Sequence, residues 1–249
     1  MGIIIKSKRE LEVMRSAGRV VALVLTVLRD AVRPGMKTKE LDAIAGQELV
    51  KLGARSTFKG YRGFPANVCV SVNDEIVHGI PSDRVLNEGD IVSLDFGVAV
   101  DGFQGDAAIT VGVGEISPEA KRLMETTQGA LKAGIAQARV GGRLGDISAA
   151  IQHYAESRHY GVIREYTGHG IGQEMHEDPQ IPNFGEPGTG PELKAGMTLA
   201  LEPMVSIGDW RTRVAGDRWT VLTVDGSLAA HYEHTIAVTD KGPQILTVV

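Results

Sequence analysis

The sequence predicts an α+β fold built from two similar halves, and three observations carry the prediction. Two helix-type stretches are followed by valine-rich alternation, and the same order then returns. Sliding the sequence on itself by 107 residues superposes Ala31 on Ala138, Gly35 on Gly142, Ala43 on Ala150, Ile44 on Ile151, Gly89 on Gly196 and Leu94 on Leu201, and sets Asp95 on Glu202. The composition, 43% hydrophobic and 23% charged over 249 residues, is that of a globular chain. A chain of that length buries roughly 70 to 75% of its unfolded surface. One unit spanning residues 1–249 is therefore expected, with pseudo-repeats at about 7–113 and 117–240.

Each element has its own signal. Ser7 and Glu10 have the spacing of a capping box, and Leu11, Met14, Ala17, Val21, Val24, Leu28 and Ala31 recur every three or four residues, giving an amphipathic helix that stops before Pro34-Gly35. Thr38 is expected to cap a second helix running to Gly53. Residues 68–93 alternate as strands. Residues 90–100 and 103–113, joined by Asp101-Gly102, form a hairpin, because an Asp-Gly pair suits a type I′ turn. Ser117-Pro118-Glu119 opens a third helix with proline in its first turn, and Gly141-Gly142 closes it. Asp146 is expected to cap a fourth, ending near Tyr160-Gly161, and strands follow. Within them Glu233-His-Thr-Ile236-Ala-Val238 resembles Asp106-Ala-Ala-Ile109-Thr-Val111 at an offset of 127, as if the second hairpin carried 20 extra residues.

Several function classes fall away. The longest apolar run, Val20 to Leu28, is nine residues, where a membrane span needs about 18. The first residues carry no secretory signal and the single Cys69 cannot form an intrachain disulfide, so a cytoplasmic, membrane-free protein is expected. A net charge of -5 argues against a nucleic-acid binder held by general electrostatics. Lys6, Lys8, Arg9 and Arg15 cluster at the start and read as a solvated helix face. Ser56-Thr-Phe-Lys59 lacks the partner motifs of a Ser-x-x-Lys enzyme, and Gly168-x-Gly170-x-Gly172 is not a dinucleotide fingerprint.

What remains is a set of carboxylates in apolar strands. A turn at Asp101-Gly102 pairs Val100 with Phe103 and Gly97 with Asp106, so Asp95, two residues from Gly97, shares the face of Asp106. Diagonal neighbours lie about 5 to 8 Å apart, near enough to hold an ion between them. Glu202 ends the apolar run Met197 to Leu201, and Glu233 lies in Tyr232-Glu233-His234. Four buried acids without matching buried bases call for divalent cations. His169, between Gly168 and Gly170, adds one imidazole, and such a donor set suits Mn, Fe, Co or Zn. His231, on the same strand face as Glu233, reads as structural.

The motifs Val77-His78-Gly79-Ile80-Pro81, Leu94-Asp95-Phe96-Gly97, Gly105-Asp106, Gly168-His169-Gly170-Ile171-Gly172 with His176 and Pro179, Glu202-Pro203 and Tyr232-Glu233-His234-Thr235 span the chain. Together they resemble the type I methionine aminopeptidases in their short bacterial form, of the pita-bread fold. The resemblance implies a dinuclear centre held by Asp95, Asp106, His169, Glu202 and Glu233, with Asp106 and Glu233 bridging two divalent ions. It implies His78 and His176 as catalytic histidines contacting the substrate, and Glu202 as general base. It implies a methionine pocket of Tyr61, Phe64, Cys69 and Trp219, with Phe58 and Met175 nearby, the last two departing from the family's usual small and aromatic residues. The activity so implied is removal of the initiator methionine from nascent N-termini ahead of a small second residue, by a monomer with possible ribosome association. The alternatives are a proline-specific peptidase, of the aminopeptidase P or prolidase kind, and an inactive binding protein of the same fold. The 31 residues from Glu202 to Glu233 leave no room for the insertion of type II relatives.

Overall fold

The structure is a computed structural model and describes residues 2–249. Helix α1, Lys8–Ala31, starts where the capping box predicts: the Ser7 hydroxyl accepts the Glu10 N–H at 3.3 Å and Glu10 accepts the Ser7 N–H at 2.7 Å. It buries Met14, Val21, Val24 and Leu28. Helix α2 is Thr38–Leu52, closed by Gly53 with φ 63°, α3 is Pro118–Gln137, and α4 is Leu144–Glu156.

Two expected caps are corrected. Lys37, not Thr38, precedes α2, and Arg143, not Asp146, precedes α4. In each case the acid at the third helical position accepts the N–H of the capping residue, Glu40 from Lys37 and Asp146 from Arg143, both at 2.7 Å. The Thr38 hydroxyl is instead bonded to both the N–H and the carbonyl of Ser82.

The main sheet is antiparallel and contains β1 (Arg55–Ser56), β2 (Cys69–Val72), β3 (Ile91–Val100), β4 (Phe103–Gly112), β5 (Thr167–Gly170), β6 (Glu177–Pro182), β7 (Thr198–Leu201), β8 (Glu233–Ala237) and β9 (Gln244–Ile245). Its order is β1-β3-β4-β8-β7-β5-β6, with β2 also on β3 and β9 also on β8. The β3–β4 hairpin has the predicted register, Val100 opposite Phe103 and Gly97 opposite Asp106.

Alternation then divides the sheet by face. Leu94, Phe96, Val98 and Ala107 join the core with α1 and α2, while Leu199, Leu201 and Ile236 join the core with α3 and α4. The opposite face carries Asp95, Asp106, Glu233 and His169, each of the other parity. Connections recur between the halves. Gly35 donates to the Leu86 carbonyl as Gly141 does to Leu193, Lys37 bridges Val85 as Arg143 bridges Glu192, and Gly89 and Gly196 share φ values of 90° and 91°. No helix among the described residues is long and apolar enough to cross a membrane.

Candidate metal centre and substrate cleft

Pairing across the sheet lines the acidic residues up in two adjacent rows. One row runs Cys69, Asp95, Ala108, Glu233, and Glu202 stands one residue beyond the pairing of Leu201 with His234. The other runs Gly97, Asp106, Thr235, Ala200, His169, with Thr235 joined to Asp106 by hydrogen bonds in both directions, at 3.0 and 2.8 Å. Glycine, alanine and threonine occupy the positions between the ligating types, so no bulky side chain fills the space between them. A Cβ on Gly97 would run into the Thr57 hydroxyl and stand 2.9 Å from the Phe58 ring and 3.3 Å from Asp106 Oδ1, so the absence of a side chain is what gives these groups their room.

Donor atoms of Asp106, His169 and Glu233 lie within 4.8 Å of one another, and these side chains are 4, 6 and 2% exposed. Asp95 and Glu202 open partly onto the cleft. His169 donates Nδ1–H to the Gly170 carbonyl at 2.9 Å, which turns the lone pair of Nε2 toward Glu202 Oε1, 3.6 Å away. The other oxygen of Glu202 is 3.8 Å from His231 Nε2.

The electrostatics are those of a cluster missing its counter-charge. Burial, and then the neighbouring carboxylates, push Asp95, Glu202 and Glu233 well above the usual carboxylate range, and burial raises Asp106 as well. Burial, together with His176, lowers His169 to about 3, which keeps its imidazole neutral and able to ligate. Asp95 Oδ1, Asp106 Oδ1 and Glu233 Oε1 are buried without a hydrogen-bond partner. Orphaned carboxylate oxygens converging on one neutral imidazole fit a divalent cation, and thiolate is absent from the converging donors.

The second group of side chains forms the wall of a cleft of about 190 Å³ over this centre, lined by Phe58, Tyr61, Phe64, Cys69, His78, Met175, His176 and Trp219 together with the five candidate ligands. Its apolar part is one cluster of Phe58, Phe64, Ala66, Cys69 and Met175, with Trp219 against it. Phe64 meets Phe58 and Trp219 edge to face, at 6.4 and 5.2 Å between ring centres. Ser56 shapes the loop that presents these rings, its hydroxyl accepting the N–H groups of Phe58 and Lys59, so the Ser-x-x-Lys pattern is a turn. Trp219 is carried in by the strand Val221–Thr223, whose Val221 pairs with Val77 next to His78. His78, in the left-handed region at φ 60°, stands edge-on to Tyr166 and Trp219. Burial, and then the charge of His176, lowers it to about 4. His176 shares a 2.8 Å hydrogen bond with the Tyr61 hydroxyl through Nδ1, and its ring lies 4.3 Å from that of His169. Cys69, buried beside Asp95, has its thiol pushed up by desolvation and by the acids, so it is a pocket wall with no thiolate character.

Three residues escaped the sequence reading. Arg62 lines the cleft and lowers His176 further by its charge, but nothing in a loop arginine signals that role. His231 is buried with both ring nitrogens unpartnered beside Glu202, a position that only the pairing of Met204 with His231 reveals. Lys6, grouped with the solvated basic start, is buried and ion-paired with Glu177, while Lys8 and Arg9 are exposed.

The chain is similar to known proteins along its whole length. The profile of metallopeptidase family M24 matches residues 12–240. The methionine aminopeptidase of Clostridium acetobutylicum is 53% identical over 246 residues, covering 98% of both chains. Methionine aminopeptidase 1 of Bacillus subtilis is 53% identical over 245 residues, covering 98% of this chain and 99% of its own. The crystal structure of methionine aminopeptidase from Thermotoga maritima superposes over 100% of both chains with a TM-score of 0.98 at 48% identity.

Proposed function

Since the chain belongs to metallopeptidase family M24, a family of metal-dependent hydrolases, we propose that it removes the N-terminal methionine from polypeptides whose second residue is small. The observation that carries the reading is the five-donor cluster at the floor of a small apolar cleft, in a chain matched end to end by methionine aminopeptidases.

Asp95, Asp106, His169, Glu202 and Glu233 would hold two divalent ions, from Mn, Fe, Co or Zn, with Asp106 and Glu233 shared between them. Bound there, such ions supply Lewis-acid polarisation of the peptide carbonyl and lower the pKa of water. Glu202, with its carboxylate facing the cleft, takes the proton from the attacking water. His78 and His176 are neutral at pH 7, since burial lowers both, and donate N–H to the oxygen of the reacting carbonyl. With the Tyr61 hydroxyl donating to Nδ1 of His176, Nε2 carries the proton offered to substrate. Phe58, Phe64, Cys69, Met175 and Trp219 enclose the methionine side chain. Burial of that side chain contributes on the order of 1.5 to 3 kcal/mol. The cavity of about 190 Å³ is small beside the 300 to 1,000 Å³ of pockets for larger ligands, in keeping with a small apolar side chain as its occupant.

On the same reading residues 1–249 form a single catalytic unit with repeats at 7–113 and 117–240, acting as a cytoplasmic monomer on peptide or nascent-chain N-termini. Lys8, Arg9 and Arg15 offer a basic surface for association with the ribosome. The chain's own Met1-Gly2 is an eligible start.

Peptides beginning Met-Gly, Met-Leu and X-Pro, assayed at matched concentration after loading with each metal in turn, test the proposal. Met-Gly is cleaved, and Met-Leu is refused because its branched side chain crowds the reacting carbonyl. Preference for X-Pro, or equal cleavage of Met-Gly and Met-Leu, overturns it.

A further inference from the structure

Lys6 lies outside the cleft, yet its side chain ends beneath the loop that carries two cleft residues. Its Nζ is ion-paired with Glu177 Oε2 and donates to the Ile4 carbonyl, and the two charged side chains are only 3 and 5% exposed. The other oxygen of Glu177 accepts the N–H groups of Gln173 and Glu174, at 2.9 and 3.4 Å. One carboxylate therefore closes the loop 172–177 on itself while the lysine neutralises it. Gly172 is packed so closely against the pair that a Cβ would run into the Glu177 carboxylate and Lys6 Cε. The lysine is fixed in turn by its main chain, whose N–H donates to the Gly196 carbonyl at 2.8 Å.

Met175 and His176 are the residues immediately before Glu177 in this loop, and Glu177 pairs with Gly170, next to His169. Among the described residues, the hydrogen bond to the His176 ring comes from the Tyr61 hydroxyl at 2.8 Å, and the ring packs against that of His169. The backbone of His176 is placed by the clasp at Glu177. A buried carboxylate that loses its counter-ion is left uncompensated and is drawn toward water, which here loosens the loop that it closes.

We propose that Lys6 is a positioning residue: through Glu177 it sets the loop 172–177 and thereby the imidazole of His176 above the candidate metal centre. The N-terminal arm is thus part of the machinery of the site, in addition to covering the fold. The inference rests on the reading of His176 given under the proposed function.

Lys6→Met, which keeps the length of the side chain and removes the charge, is the test variant, and Lys6→Arg is the conservative one. Imidazole NMR spectra of the metal-loaded protein should show the His176 resonances shifted and broadened in Lys6→Met, with those of the distant His153 and His159 unmoved and metal content unchanged. Turnover of a Met-Gly peptide should fall about 10- to 100-fold, the scale of a misplaced catalytic group, and Lys6→Arg should restore most of it. In a His176→Ala background, Lys6→Met should add less than about a twofold loss, because its effect passes through that imidazole. Unmoved His176 resonances, or an equal loss in both backgrounds, overturn the proposal. Shifted resonances together with full turnover in His176→Ala leave the positioning intact and remove the catalytic role assigned to His176. Should Lys6→Met fail to fold, Glu177→Gln abolishes the ion pair and leaves the buried Lys6 ammonium without a counter-charge, which displaces the loop from the other side of the pair, and the same readings apply.

Discussion

Asp106 and Glu233 are the residues with the least freedom to be replaced. Each is almost fully buried, each leaves one carboxylate oxygen without a partner, and their donor atoms sit within 4.8 Å of His169 and of each other. The neighbouring row positions are Ala108, Ala200 and Thr235, whose hydroxyl is already bonded to the Asp106 main chain, so none of them supplies a carboxylate to replace either acid. Asp106→Ala and Glu233→Ala are each expected to abolish paired-metal binding, measured as bound metal per chain after loading and desalting. Glu202→Gln should retain more metal and still lose turnover severely, since it keeps an oxygen donor and loses the base. Near-normal turnover in either bridging variant would refute the assignment. The acids were visible in the sequence because aspartate and glutamate stand out in apolar strands. Lys6 and His231 were not, since a lysine in a basic stretch and a histidine in a strand carry no mark of what they face.

Among the elements, the turn and register of the β3–β4 hairpin were legible to the residue, while each strand is one residue shorter at its far end than expected. Asp-Gly fixes the turn, the turn fixes the register, and the register places Asp95 and Asp106 on one face. The caps of α2 and α4 were legible only in part. Side-chain preference nominated Thr38 and Asp146, but Glu40 and Asp146 act from the third helical position on the N–H of Lys37 and Arg143. Shifts of this kind, one residue for α2 and three for α4, follow from hydrogen bonds that helix propensity alone does not resolve. Gly97 is where strand and site meet most closely. Gly97→Ala should leave the hairpin paired, because ten residue pairs hold β3 to β4, yet its methyl group would press on the Thr57 hydroxyl, the Phe58 ring and Asp106. We expect turnover to fall about 10²-fold with little change in melting temperature. Unchanged kinetics would show that the loop of Phe58 yields freely.

For the whole molecule, the buried charges make stability depend on pH and metal together. Carboxyl groups whose folded pKa is raised hold extra protons in the native state, so their contribution to stability is present at low pH and is lost as pH rises through the folded value. Asp95, Glu202 and Glu233 lie well above the normal range and Asp106 is raised to about 7. The histidines act oppositely below their unfolded value of about 6.5: His78, His169 and His231 are lowered to about 4, 3 and 3, so they destabilise the fold as pH falls below 6.5. Above pH 6.5 only the carboxylates remain in play. The metal-free protein should therefore melt at progressively lower temperature from about pH 6.5 to 8.5, at up to about 1.4 kcal/mol per pH unit for each group titrating. Loading with a divalent ion should flatten that slope, because cations replace the protons. Scanning calorimetry of metal-free and reloaded protein checks both arms, and a metal-free protein insensitive to pH in this window would contradict the electrostatic picture of the cluster.

Periodicity, caps and turn residues report on local backbone, and from them the four helices, the hairpin register and the two-half order could be read, while the motifs were legible through their resemblance to a family. Those signals are short-range by nature, since 3.6- and 2-residue repeats record which face of one element is buried. How close the carboxylates of the two halves come was decided by the sheet, in which β8 lies between β4 and β7 and so brings Glu233 beside both Asp106 and Glu202. The apolar cleft was decided the same way, with Phe58, Met175 and Trp219 arriving from three loops far apart in the chain. So was the burial of Lys6 under a loop some 170 residues away. Contacts over such distances depend on how finished elements pack, and no local pattern encodes them.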